Sequence, residues 1–246
     1  MTTLIVTRPR PQCAAWLAQL AALCVDAQAL PLIEILPARD AGPVRAAWAA
    51  LAAVDLAVFV SPNAVEHFFA HADGAWPAHT LAACVGPGSA QALAAHGVPA
   101  THIVQPAADA ASLDSEHLWE QLSPRRDWAG ARVLLLRGDG GREWLAERLA
   151  EVGASVEAVT VYHRAAPRFS ATEQALLDDV LARPQDHVWL FSSAEAVGHL
   201  LGRQLAGQRA IATHPRIADA ARAAGFAPVV LARPDPEAVT QALKAV

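Results

Sequence analysis

Residues 4–8 read Leu4-Ile-Val-Thr-Arg8, and residues 133–137 read Val133-Leu-Leu-Leu-Arg137. Each stretch is a short apolar run that leads to an arginine, through Thr7 in the first case, and a Trp-Leu pair follows it, at Trp16-Leu17 and at Trp144-Leu145. Continuous apolar runs of this length are typical of strands buried on both faces of a parallel sheet. The sequence therefore predicts a strand–loop–helix unit that occurs twice.

Further matches follow in the same order along the chain. They pair residues 59–65 (FVSPNAV) with 191–197 (FSSAEAV), 87–98 (PGSAQALAAHGV) with 215–226 (PRIADAARAAGF), and 114–116 (DSE) with 235–237 (DPE). Composition bias can produce alanine-rich helices, but it does not place Arg, Trp, Ser and Gly at corresponding positions. We interpret the chain as an internal duplication.

Short β-rich runs alternate with helical stretches throughout, and this alternation predicts an α/β fold with parallel sheets and right-handed crossovers. No Gly/Ser/Pro-rich linker separates the halves, so we expect the chain to cross between lobes in the extended stretches 31–39 and 162–169. Strands are predicted at residues 4–7, 56–60, 81–85, 102–104, 132–136, 156–162, 188–191, 209–212 and 228–231.

Composition narrows the class of protein. A hydrophobic fraction of 54% with 17% charged residues indicates a globular chain with a full core. No apolar run approaches the ~20 residues of a membrane span, and the N-terminus lacks the features of a signal peptide. Three cysteines without a CxxC pair fit a reducing compartment, and a net charge of -5 offers no basic surface for nucleic acid. We expect a cytoplasmic monomer that binds neither nucleic acid nor membrane.

The loops after the predicted strands are the candidate ligand site, because ligands of parallel α/β sheets bind outside the carboxyl ends of the strands. Helix N-termini in such loops attract anions. Taken singly, a Ser, Thr or Asn there favours a helix N-cap with no ligand. Taken together, the loops favour an extended anionic ligand. The candidate binding residues are Thr7, Arg8, Ser61, Asn63, Gly86, Ser89, Arg137, Gly138, Arg142, Ser192, Ser193, His214 and Arg216.

Three other site types are disfavoured. Residues 137–142 (RGDGGR) match neither GxGxxG nor GxxxxGK[ST], so they do not predict a nucleotide site. Glu66, His67 and His71 lack the HExxH order and a third ligand, which favours a solvated helix face over zinc. The Ser192-Ser193 pair lacks a GxSxG elbow and so does not predict a hydrolase. No metal site is predicted.

Tyr162 is the only tyrosine, and we place it at the end of a predicted strand near a crossing between lobes. One interpretation is an interface aromatic that packs its ring and leaves its hydroxyl in water. The other is a phenol positioned to donate a proton to a leaving group.

Taken in order, these motifs resemble the uroporphyrinogen-III synthase family over the whole chain. The resemblance rests on VTRP at 6–9, SxNAV at 61–65, VG at 85–86, RG at 137–138 with GR at 141–142, GA at 153–154 leading to VY at 161–162, FSSxxAV at 191–197, and HPRIA at 214–218. The motifs are short, and their order and spacing carry the specificity.

The resemblance implies two similar lobes, each a parallel sheet flanked by helices, joined by a two-stranded linker. One lobe would combine residues 1–36 with 167–246, and the other would span 40–163. The implied reaction closes hydroxymethylbilane, a linear octacarboxylate tetrapyrrole, to uroporphyrinogen III with loss of water and inversion of ring D through a spiro-pyrrolenine, without metal or organic cofactor. Tyr162 is similar to the family's active-site tyrosine.

The sequence departs from the family in two loops. Val60-Ser61-Pro62 stands where many members have Thr-Ser, and His214-Pro215-Arg216-Ile217 replaces a commoner Gly-Pro-Thr-Thr type. We expect His214 and Arg216 to pair with a substrate carboxylate in place of a hydroxyl contact.

Two other functions stay open at this point. One is a non-catalytic two-lobed protein that clamps a small anion, and the other is a degenerate homologue that serves as a sensor.

Overall fold

The structure is a computed structural model that describes residues 2–140 and 143–246. The chain divides into two compact units. The first, unit 1, is built from two separate stretches, Met1–Ile35 and Ala165–Val246. The second, unit 2, is the continuous stretch Leu36–Arg164.

Strands and helices alternate among the described residues. In chain order they are β1 (Thr3–Val6), α1 (Arg10–Ala22), β2 (Ala27–Ala29), β3 (Glu34–Pro37), α2 (Gly42–Ala49), β4 (Leu56–Phe59), α3 (Pro62–Phe69), β5 (Leu81–Cys84), α4 (Pro87–Ala95), β6 (Ile103–Val104), α5 (Ser115–Leu122), β7 (Arg132–Gly138), α6 (Trp144–Glu151), β8 (Ser155–Ala165), α7 (Ala171–Ala182), β9 (His187–Phe191), α8 (Ala194–Gly198), β10 (Arg209–Ala212), α9 (Pro215–Ala223), β11 (Val229–Leu231) and α10 (Pro236–Leu243).

Unit 1 contains a five-stranded sheet with the order β11-β10-β9-β1-β2, in which all neighbouring strands are parallel. Unit 2 contains the sheet β3-β8-β7-β4-β5-β6, and its pairs from β8 to β6 are also parallel. These sheets, with helices on their faces, confirm the predicted α/β fold class.

The two sheets share one strand order in permuted form. In unit 2, β7, β8, β4, β5 and β6 take the places that β1, β2, β9, β10 and β11 take in unit 1. The sequence matches equate β1 with β7 and β4 with β9, and the common order is the 2-1-3-4-5 arrangement of a doubly wound sheet. The permutation concerns the order along the chain. The β1–β2 pair comes first in unit 1, whereas the corresponding β7–β8 pair comes last in unit 2.

The central strands are buried on both faces, as their continuous apolar runs predict. In unit 1, Ile5 and Trp189 pack with Phe191 into the core on one face of the sheet, whereas Leu4 and Val188 pack into the core on the other. All five side chains are fully buried. Burial of each stabilises the fold by roughly 1.5–3 kcal/mol, so β1 and β9 anchor unit 1.

The predicted strands are present, with shifts at their ends, but β2 and β3 were not predicted as strands. The prediction that Tyr162 ends a strand is wrong, since β8 runs three residues further, to Ala165. At the same point β7 and β8 change register between Arg137 and Gly138, so that Arg137 pairs with Thr160 and Gly138 with Tyr162. The extra residue in β8 is Val161, and both it and Tyr162 are buried.

Candidate functional site

In each unit the strand order reverses between two central strands, β1 and β9 in unit 1 and β7 and β4 in unit 2. A crevice outside the carboxyl ends of the strands at such a point is where doubly wound sheets bind ligands. The predicted site residues of each unit lie mainly on the loops at this end of its sheet.

Ser61 and Tyr162 form the most specific contact of the unit 2 site. Ser61 follows β4 and accepts a hydrogen bond from the backbone N–H of Ala64 at 3.2 Å, which caps helix α3. Its Oγ also lies 3.1 Å from the phenol oxygen of Tyr162. Tyr162 is only 4% exposed, so its ring is packed inside the protein, and its hydroxyl contacts Ser61.

Gly138 makes room for the tyrosine ring. A Cβ at this position would lie 2.7 Å from Cε2 and 2.8 Å from Cζ of Tyr162, so any other residue here would have to displace the ring. The register shift beside Gly138 brings the two residues opposite each other. Bulges of this kind re-aim side chains and are common beside active sites.

His67 lies on the ring of Tyr162, with ring centroids 5.9 Å apart and planes inclined by 27°. Burial lowers the pKa of His67 below its usual 6.5, and the nearby His71 and His163 act in the same direction. His67 is half-buried, whereas Glu66 beside it on α3 is exposed. Because no sequence pattern links position 67 to position 162, sequence reasoning missed this contact.

The loop before α4 completes one side of the unit 2 site. Gly86 precedes the helix with extended backbone, and its carbonyl accepts from the Ser89 N–H at 3.1 Å. Ser89 is buried at 2% exposure, and Asn63, in the first turn of α3, is buried at 8%. A Cβ at Gly88 would lie 3.4 Å from Pro62, so the first turns of α3 and α4 are close together.

Arg137 and the loop after β7 contribute charged side chains to the unit 2 site. Arg137 pairs with Glu143 at 2.5 Å between Nη1 and Oε1. Asp139 accepts the backbone N–H of Arg164 at 3.0 Å, which ties the loop to β8. The predicted residue Arg142 lies outside the described residues.

In unit 1, the Thr7 hydroxyl is turned into the protein. It donates to the Leu190 carbonyl at 2.7 Å and is buried at 1% exposure, so it ties β1 to β9. Ser193 caps α8 by accepting the Glu195 N–H at 3.2 Å, and Ser192 beside it is partly exposed. Of these hydroxyl groups, only those of Ser192 and Ser193 are placed to reach a ligand.

Arg8 is a largely buried cation at the end of β1. Its guanidinium lies 4.1 Å from the centre of the Trp16 ring and donates to Gln12 Oε1 at 3.3 Å. Burial lowers its pKa to about 10, so it stays charged at neutral pH. Its Nε has no hydrogen-bond partner within the described part of the chain. A buried cation of this kind favours an anionic ligand.

His214 caps α9, since its Nδ1 accepts the Arg216 N–H at 3.2 Å. The Arg216 side chain is exposed, and no ion pair to it is formed among residues 2–140 and 143–246. Ser61, Gly86, Ser193 and His214, the four residues that precede α3, α4, α8 and α9, share extended backbone with φ of -163°, -158°, -153° and -156°. The duplicated loops are therefore alike in backbone. Their capping residue is serine in both copies at Ser61 and Ser193, and it differs between Gly86 and His214.

A cavity of about 290 Å³ lies within unit 1, where α1 begins near the crossing stretches. Arg10 and Arg168 line it with Glu34, and Arg168 Nε lies 3.8 Å from the Glu34 carboxylate. The side chains of Arg10 and Arg168 are 68% and 87% exposed. Sequence reasoning did not select these arginines, because neither belongs to a repeated motif.

The structure thus brings together Ser61, Gly138 and Tyr162 in unit 2. In the described ranges, no group of three or more His, Cys, Asp or Glu side chains could hold a metal ion. Helices long and apolar enough to cross a membrane are likewise not found among residues 2–140 and 143–246.

The fold and these loops define a duplicated α/β protein with its candidate site at the carboxyl ends of parallel strands. A family model described as uroporphyrinogen-III synthase HemD matches residues 14–241. The chain belongs to the uroporphyrinogen-III synthase family.

Similar proteins carry the same name. The uroporphyrinogen-III synthase of Salmonella typhimurium is 35% identical over 181 residues, which cover 71% of this chain and 70% of that protein. The corresponding protein of Synechococcus elongatus is 34% identical over 195 residues, which cover 77% and 69%. Both relatives therefore support the family assignment along most of their length.

Solved structures of the same name share the fold. A mutant uroporphyrinogen III synthase from Thermus thermophilus matches with a TM-score of 0.59 and 19% identity, over 100% of this chain and 98% of that one. The uroporphyrinogen-III synthetase of Helicobacter pylori 26695 matches with a TM-score of 0.59 and 18% identity, over 100% of both chains. At this level of identity the likeness concerns the fold alone.

Proposed function

We propose that the chain is an active uroporphyrinogen-III synthase, which cyclises hydroxymethylbilane to uroporphyrinogen III with loss of water and inversion of ring D. The observation that carries the proposal is the sole tyrosine, held by Ser61 and His67 at the switch point of unit 2, in a member of this family. Binding alone does not require a phenol fixed in this way.

The charges of the loops suit a polycarboxylate. Unit 1 presents Arg8 and the exposed Arg216, and unit 2 presents the first turns of α3 and α4. Helix N-termini and arginines stabilise carboxylates over a wide surface. This explains how a chain with a net charge of -5 can bind an octacarboxylate without a single strongly basic pocket.

Loss of the substrate hydroxyl starts the reaction. The C–O bond of the hydroxymethyl group breaks, the pyrrole nitrogen lone pair supplies the electrons, and Tyr162 gives its proton to the leaving oxygen, which departs as water. The substituted α carbon of ring D attacks the cationic azafulvene and forms the spiro-pyrrolenine. The original bond from that carbon to the ring C methylene then breaks, with electrons from the ring C pyrrole nitrogen stabilising the methylene, and the methylene bonds to the free α carbon of ring D. The proton released when the pyrrole regains aromaticity returns to Tyr162, so the phenol is regenerated.

Geometry carries the selectivity. Hydroxymethylbilane can cyclise unaided to the symmetric type I isomer, so the enzyme has to hold the chain folded for attack at the substituted carbon. Fixed orientation of this kind can supply several kcal/mol, roughly 7–11 in well-oriented intramolecular reactions. General acid catalysis by Tyr162 adds to the rate of the first step.

We further propose that the chain is a monomer and acts in the cytoplasm. Free thiols at Cys13, Cys24 and Cys84 support a reducing compartment. Light scattering on the purified protein tests the oligomeric state, and a mass near that of a dimer would contradict it. Fractionation of cells that express the tagged chain tests the location.

The function is tested by adding the purified chain to hydroxymethylbilane and separating the oxidised products into isomers I and III. A synthase forms isomer III in excess from the first minutes. A protein that only binds the anion would leave the spontaneous rate and isomer I in place. Heat-inactivated protein serves as the control for the spontaneous reaction.

A further inference from the structure

Ser61 occupies a position between a backbone donor and the phenol of Tyr162. The N–H of Ala64 can only donate, so Ser61 Oγ accepts at that contact, 3.2 Å long. A serine hydroxyl has a single proton of its own and two lone pairs. Its proton is therefore available for the contact of 3.1 Å with the Tyr162 oxygen.

Two arrangements of protons are compatible with this contact. If Tyr162 donates to Ser61, the phenol proton is used within the protein. If Ser61 donates to Tyr162, the phenol proton remains available for substrate. Hydrogen bonds in a chain polarise one another, so a hydroxyl that accepts from the N–H of Ala64 becomes a better donor. The positive end of α3 beside Ser61 also favours the arrangement in which a lone pair of the phenol oxygen, rather than its O–H, faces Ser61.

The ring of Tyr162 is held as well as its oxygen. His67 lies on the ring with centroids 5.9 Å apart, and Gly138 lies so close that a Cβ would overlap the ring. With the oxygen held by Ser61, the ring has little freedom to turn. A phenol fixed in this way holds its remaining O–H in one direction.

We infer that Ser61 is a positioning residue that donates its proton to the Tyr162 oxygen and so directs the phenol proton toward the leaving group of the substrate. The inference rests on the proposed function for the identity of that leaving group. Ser61 thus acts through Tyr162, and not as a direct ligand of a substrate carboxylate.

The single tyrosine allows a direct test in the protein without substrate. Protein made with tyrosine labelled by ¹³C at Cζ has one such position, at Tyr162. We expect Ser61→Ala to move this resonance and Ser61→Thr to restore it, since threonine keeps the hydroxyl. Ser170→Ala is the matched control, because Ser170 caps α7 in the same way, with no tyrosine beside it.

The same variants are compared as enzymes. We expect Ser61→Ala to lower kcat for isomer III about tenfold, equal to ~1.4 kcal/mol, with KM unchanged, and Ser61→Thr to recover it. Ser170→Ala should keep both values. The inference is overturned if Ser61→Ala leaves the resonance in place, if Ser170→Ala moves it equally, or if Ser61→Thr recovers neither property. A wild-type chain that forms no isomer III would overturn the proposed function, whereas the resonance tests the hydrogen bond independently.

Discussion

The Ser61 hydroxyl lies 3.1 Å from the Tyr162 phenol oxygen, although the two residues are separated by 101 positions in the sequence. Ser61 follows β4 and Tyr162 belongs to β8, the two strands on either side of β7. The contact therefore passes over the end of β7, where Gly138 stands. A glycine at this point allows the ring to reach across the intervening strand.

Gly138→Ala should destabilise the protein by about 1–3 kcal/mol, because the new methyl group would overlap the Tyr162 ring. Urea unfolding measures the change. Gly74→Ala is the matched control, since a Cβ there meets no atom within 4 Å. Combining Gly138→Ala with Tyr162→Val should recover much of the loss, and equal destabilisation in the double variant would contradict the contact.

Tyr162→Phe should lower the rate of isomer III formation about tenfold, which corresponds to ~1.4 kcal/mol of barrier. The phenylalanine keeps the ring packing and removes the hydroxyl, which is both the proton donor to the substrate and the acceptor of the Ser61 hydrogen bond. The product should remain type III, because folding of the bilane and not the phenol selects the isomer. Initial rates from separated isomers measure the effect, and an unchanged rate would rule out the role of Tyr162 in loss of the hydroxyl.

Arg216→Glu should raise KM roughly tenfold by replacing an attractive charge with a repulsive one, a change of ~1.4 kcal/mol. Increasing salt should reduce the difference from wild type, because the Arg216 side chain is exposed. Arg203→Glu makes the same change of charge at an exposed position away from the strand-end loops. If Arg216→Glu has the same KM as the control Arg203→Glu, Arg216 does not contact the substrate.

His67 should make folding stability depend on pH. Burial lowers its pKa in the folded state, with Glu66 opposing the shift and His71 and His163 adding to it. As pH falls through the unfolded value of about 6.5, the unfolded chain binds the proton first, so stability is lost toward acid.

His67→Phe keeps a ring against Tyr162 and cannot titrate, so its urea midpoint should fall less than that of wild type between about pH 7.5 and pH 5.5. His79→Phe, at an exposed position, is the control and should fall as wild type does. Parallel pH profiles for wild type and His67→Phe would show that His67 does not carry the effect.

Much of the fold could be predicted from the sequence, because its central strands are continuous apolar runs and its helices repeat in the same order. The two strands that escaped prediction are short. Residues 27–29 (AQA) lie at a sheet edge, are only partly buried and have no β-branched side chain. Residues 34–37 (EILP) end in a proline and are extended, which does not distinguish a strand from a crossing stretch.

The candidate site was less accessible to sequence reasoning. Ser61 and Ser193 could be predicted as helix N-caps, because serine is a preferred N-cap residue and the two positions correspond in the repeat. The contacts of Tyr162 depend on strand order and on a register shift beside Gly138, neither of which a single sequence encodes locally. Thr7 illustrates the reverse case, since its hydroxyl has the type and position of a ligand contact but donates to Leu190 in the interior.

The ratio of isomers formed from hydroxymethylbilane decides whether the chain is a uroporphyrinogen-III synthase. Across increasing concentrations of the purified chain, isomer III should grow in proportion to protein while isomer I falls below its spontaneous yield. An isomer I yield that no protein concentration reduces, with no isomer III above the heat-inactivated control, would contradict it.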